Sequence, residues 1–121
     1  MEITKIQNLI KEADQLINTA DDEMNRAEED VVTHLVCHTS RKALSNYMRA
    51  YLLQNKVDMG ETASLENLLI ECKTFSKEFD QVDLSQVHCR FDHDDNEFCL
   101  SIDQVDYCRT VASKVKSILE E

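Results

Sequence analysis

The sequence predicts an all-α protein, an up-and-down bundle of four to five helices. Three observations carry that expectation. Among 121 residues there are one glycine and no proline, which leaves almost nothing to build β-turns, left-handed connections or a loop that cradles phosphate. Apolar residues recur at steps of three and four. The length suits one core, since a chain of this size buries roughly 60–70% of its unfolded surface, so a single helical domain over residues 1–121 is expected.

Ile3, Ile6, Ile10, Ala13, Ile17, Ala20, Met24 and Ala27 trace one stripe, which Leu9 and Leu16 widen, while Glu12, Asp14, Asp21, Asp22 and Glu23 lie off it. That pattern is a long first helix with one buried face. A second helix is expected from near Asp30 to about Lys56, carrying Val31, Val32, Leu35, Val36, Ala43, Leu44, Tyr47, Met48, Tyr51 and Leu52. Its apolar positions cover more than one stripe, so it belongs at the centre of the bundle. The same breadth favours a second protomer.

Asp58-Met59-Gly60-Glu61 makes the break, with Gly60 placed to cap a helix C-terminus and Thr62 or Ser64 to cap the next N-terminus. Leu65, Leu68, Leu69, Cys72, Phe75 and Phe79 define a third helix, and Leu84 to Phe91 a short fourth. Asp92 to Glu97 is too polar and self-repulsive to pack and reads as an exposed loop. Ile102, Val105, Cys108, Ala112, Val115 and Leu119 give a final helix from about Asp103 to the end.

With 24 acidic and 13 basic residues the net charge is −11. Such a field repels polyanions unless the cations gather on one face, which argues against DNA or RNA as a ligand. The five cysteines, Cys37, Cys72, Cys89, Cys99 and Cys108, stand singly on apolar faces with no Cys-x-x-Cys pair, and read as reduced thiols in a cytosolic core. Met1 to Lys5 opens directly into the amphipathic pattern, without a secretory signal, and no apolar run approaches the ~20 residues of a membrane span. A soluble, cytoplasmic protein with no membrane partner is the expectation.

Arg41-Lys42-Ala43-Leu44-Ser45-Asn46-Tyr47-Met48-Arg49-Ala50-Tyr51-Leu52-Leu53 resembles a helix of the type Gln-Gln-Ala-x-Glu-Lys-Ala-Leu-Lys-Ala-Tyr-Leu-Leu, found in the HEPN domain family, the nucleotide-binding domains of higher eukaryotes and prokaryotes. Arg49 falls on a family lysine, and Ala50 to Leu53 is shared outright. Thr62-Ala63-Ser64-Leu65 and Leu68-Leu69 occupy the family's next element, with Ala63 where a histidine would stand. Arg90-Phe91-Asp92 resembles its Arg-Tyr-Pro corner. The resemblance implies a bundle of four to five helices, usually dimeric. It also implies a nucleotide ligand, or a small nucleotidyltransferase as partner. Ribonuclease members of the family use an Arg and a His separated by roughly four to six residues. Here Arg90-x-x-His93 is too short, and the acidic loop beside it repels a phosphodiester.

Several constellations invite chemistry. Arg41, Lys42 and Arg49 could hold a nucleotide's phosphates, or form salt bridges to the acidic first helix or to a partner protomer. His34 and His38, four apart, could present two imidazoles to a metal, with His88, His93, Asp92 or Asp94 as further ligands; alternatively they line a polar seam. Asp92 to Asp103 partly fits a calcium loop, with Glu97 where such loops need glycine, so a solvated acidic loop is expected instead. Cys37-His38 and His88-Cys89 are sequence neighbours, which on a helix point about 100° apart and cannot pair as nucleophile and base. The balance of these readings is a non-catalytic, dimeric binding or scaffold domain without a cofactor. A toxin-type ribonuclease using Arg90 and His93 is the alternative.

Overall fold

The computed structural model describes residues 2–26, 33–60, 63–82 and 102–119, with the side chains of 2, 33, 34 and 102–105 set aside. The described elements are helical: α1 (Glu2–Met24), α2 (Thr33–Gln54), α3 (Leu65–Phe75), a 3-10 turn (Lys77–Gln81) and α4 (Ile102–Leu119). The expected short helix from Leu84 to Phe91, the acidic loop that follows it and the ends of the first two helices at Ala27 and Asp30–Val32 lie outside the described residues.

α2 is the central rod because its apolar residues need, and find, neighbours on three sides. Ala20 of α1 packs on Val36 and Cys37 at one end of α2, and Leu9 packs on Ala50 and Leu53 at the other, so α1 and α2 run antiparallel. Cys108 and Leu119 of α4 meet the same two ends in the opposite order, so α4 runs alongside α2 and antiparallel to α1. α3 closes the remaining side through Leu65, Leu68, Leu69 and Cys72, with Tyr47, Met48 and Leu52 at the middle of the shared core. Each such side chain taken fully out of water contributes about 1.5–3 kcal/mol. Within one chain α1, α3 and α4 thus cover the breadth of apolar surface that, on sequence grounds, favours a second protomer.

Polar links set the helix registers. Tyr47, fully buried, donates its hydroxyl to Asp14 Oδ1, and Lys116 Nζ lies 3.3 Å from the same carboxylate oxygen, so one aspartate of α1 ties α2 to α4. Arg109 of α4 spans Asp106 and Asp21 of α1, and those two carboxylates raise its already high pKa.

α2 ends at Gln54, near the expected limit of about Lys56, but Gly60 does not cap it. Lys56 adopts φ 65°, its N–H donates to the Leu53 carbonyl, and the Val57 N–H reaches back to Leu52 at 2.8 Å. This is a Schellman ending with a lysine in the left-handed position at a cost of about 1 kcal/mol, offset by Val57 packing on the core. Gly60, at φ 79°, makes the following turn, where its N–H donates to Asp58 Oδ1. The third helix ends at Phe75, because Ser76 takes extended backbone and its hydroxyl caps a separate 3-10 turn by accepting from Glu78 N–H. Phe79 therefore enters the core from that turn, its ring centroid 4.8 Å from that of Tyr51.

The thiols also depart from the uniform reduced set. Cys37 is disulfide-bonded, whereas Cys72 and Cys108 are free and buried; Cys89 and Cys99 lie outside the described residues. Pairing needs two sulfurs to converge in space, which spacing along the chain cannot show. Cys72 stays a buried thiol, its Sγ 3.8 Å from the Met48 carbonyl, and burial pushes its pKa up to about 12.

Candidate functional site

On a helix, residues seven apart point in nearly the same direction, and the two residues midway between them fall on either side. His38 and Ser45 stand in that relation on α2, with Arg41 and Lys42 flanking the line between them. Opposite this face the chain returns at Ala63, Ser64 and Leu65, where α3 begins. Between the two lies a cavity of about 450 Å3 lined by those seven residues. Four of its walls are cationic or hydroxyl-bearing, and two are small or apolar.

Arg41 is the residue whose state most needs explaining. Its Nε is out of solvent and has no hydrogen-bond partner among the described residues. A buried donor left unmade costs about 1–3 kcal/mol, more when it belongs to a charged group. Lys42, beside it, is half-exposed and lies 3.3 Å from Glu12 Oε1 of α1. This is the salt bridge to the acidic first helix that the sequence offered as the alternative to phosphate binding.

Ser64 serves two structures at once. Its Oγ accepts the Asn67 N–H at 3.1 Å as the N-cap of α3, and its carbonyl accepts the Leu68 N–H. Of the two cap candidates in the sequence, Ser64 is the N-cap of α3, and Thr62 lies outside the described residues. The cap aims the positive end of α3 toward the cavity, which favours an anion there by a few tenths of a kcal/mol up to about 1.

Arg49 is parted from Arg41 and Lys42. It continues the same face one turn past Ser45, yet it is only 9% exposed and does not line the cavity. Asp58, in the segment after α2, lies close enough for the two charges to be felt. Lys5 Nζ of α1 donates to the same carboxylate, at Oδ2, at 3.1 Å. The Lys5 hydrogen bond first, and the Gly60 N–H second, hold the Asp58 carboxyl below its ordinary value.

His38 reaches the cavity wall on an exposed position, whereas the side chain of His34 is not described. Among the described residues no three His, Cys, Asp or Glu side chains gather as a metal site. Arg90 and His93, the ribonuclease candidates, and the calcium-like loop lie outside the described residues. No described helix is long and apolar enough to cross a membrane. Sequence reasoning missed the part played by Ser45, Ala63, Ser64 and Leu65. Only the i, i+7 relation of His38 to Ser45 could have hinted at it, because the opposite wall comes from a different helix.

Comparison with known proteins gives one match. A family model described as the HEPN domain aligns with residues 6–121, nearly the whole chain. No curated protein and no solved structure matches.

Proposed function

Because this chain belongs to the HEPN domain family, we propose that it is a non-catalytic binding module that takes the phosphates of a nucleotide in the cavity between α2 and the start of α3. It acts as a homodimer; the alternative to a nucleotide ligand is a small nucleotidyltransferase as its partner. The observation that carries the ligand assignment is the Arg41 Nε, a buried cationic donor without an acceptor among the described residues, on a side chain that lines a cavity together with Lys42. A phosphate oxygen supplies the missing acceptor, and a guanidinium matches two such oxygens at once.

Charge supports a small ligand over a polymer. The cavity's cations are set in a chain of net charge −11, so a short anion can sit on Arg41 and Lys42 while a polynucleotide must run its further phosphates across acidic surface. Glu66, in the first turn of α3, is one carboxylate at that border. The homodimer and the nucleotidyltransferase partner rest on the family resemblance. Ile70 and Phe75, exposed on α3 at 59% and 43%, are apolar side chains that either contact could bury.

Calorimetric titration of ATP into the purified protein tests the ligand. Binding is expected, and Arg41→Ala is expected to weaken it about 10- to 100-fold, the worth of a hydrogen bond to a charged group. Absence of ATP binding, or an unchanged affinity in Arg41→Ala, defeats the assignment. Incubation with single-stranded RNA runs beside it: cleavage that disappears in Arg90→Ala would replace this reading with the ribonuclease one.

A further inference from the structure

We infer that Glu12 is an internal competitor of the ligand, a carboxylate on α1 that holds Lys42 until a phosphate takes the lysine from it. This rests on the reading of the cavity above. Lys42 both lines the cavity and lies 3.3 Å from Glu12 Oε1, so a single ammonium is open to two anionic claims. The two side chains are 53% and 49% exposed, and a lysine head on a flexible four-carbon stem can move from one claim to the other. Arg41 differs from its neighbour: its Nε is out of solvent and has no partner to give up among the described residues.

The division has a physical consequence. Arg41 supplies the standing part of the site, and Lys42 supplies a part that the ligand must first win. An exposed ion pair is worth up to about 1 kcal/mol, so the competition lowers affinity by as much as about five-fold. Because coupling is reciprocal, whatever binds at Lys42 also loosens this link between α1 and α2, and loosening the link favours binding by the same factor. Glu12 is therefore a positioning residue that sets the affinity of a site it does not line.

The experiment is ATP titration into wild type, Glu12→Gln, Glu12→Asp, Lys42→Gln and the Glu12→Gln/Lys42→Gln pair at one ionic strength, with melting temperatures to confirm folding. Glu12→Gln is expected to bind ATP more tightly, by as much as about five-fold. Glu12→Asp keeps the charge but shortens the reach to Lys42, and is expected to tighten binding as well. In the Lys42→Gln background the gain from Glu12→Gln is expected to vanish, because the competition runs through the lysine. If wild type binds ATP but Glu12→Gln binds it no better, or if the gain survives in full without Lys42, Glu12 is only a distant repelling charge and the inference fails alone. If wild type does not bind ATP at all, the cavity assignment fails and this inference falls with it.

Discussion

Ser45 and Arg49 sit one turn apart on the same face of α2, and they live in different environments. Ser45 lines a solvent-reachable cavity, whereas Arg49, the more polar of the two, is 9% exposed and lies outside that lining. On the sequence, hydropathy would have ordered them the other way. The difference teaches that exposure along a helix face is set by what the chain lays over it. Over the last two turns of α2 the chain folds back through its Schellman ending, and Val57 and Met59 pack on the core. Over the earlier turns the start of α3 forms the facing wall among the described residues, with a cavity between the two.

The sealed half should carry the stability, so the largest effect is expected there. Tyr47→Ala removes a fully buried ring and the hydrogen bond to Asp14, and should cost about 3–5 kcal/mol in denaturant unfolding. A loss below about 1 kcal/mol would mean that the middle of α2 is not the centre of the core.

A smaller effect should separate the two arginines. Arg49→Met keeps the stem and removes a charge whose described neighbour is Asp58. Apolar replacement of buried charge is often neutral or stabilising, so stability should change by less than about 1 kcal/mol and ATP affinity should hold. A drop in affinity like that of Arg41→Ala would show Arg49 to be part of the site, and the boundary drawn between Ser45 and Arg49 would have to move.

The smallest effect is confined to alkaline solution. Cys72 lies against the Met48 carbonyl in the sealed half, and burial raises its pKa from 9.0 to about 12. The folded protein keeps a proton that the unfolded chain releases. Its stabilising contribution is therefore whole below pH 9 and is lost progressively as pH rises toward about 12. Unfolding midpoints measured from pH 8 upward should fall more steeply for wild type than for Cys72→Ala. Parallel curves would mean that water reaches the thiol.

Much of the fold was legible because helix periodicity is local. Leu9, Ala13, Ile17 and Ala20 on α1 and Cys108, Ala112 and Val115 on α4 are buried as their spacing requires. Ile3, at the head of the first stripe, is exposed instead. The cap of α2 was wrongly assigned to Gly60, since glycine preference is only a tendency: Lys56 takes the left-handed position once Val57 has core to pack against. Of the site, the pair Arg41 and Lys42 could be named from the chain, and the salt bridge to the first helix was among the readings the chain allowed. Ser64 and Leu65 could not be named as its opposite wall, because they lie some twenty residues on, across a turn whose direction the pattern leaves open.

The sequence by itself determined the helices, the centrality of α2 and the membership of residues 6–121 in the HEPN domain family, all of which follow from side-chain order along one rod. Which of its cations face a cavity, which is buried away from it and which is shared with Glu12 was decided only when the rods were packed. Exposure and charge pairing belong to the space between elements, and no single element contains that space.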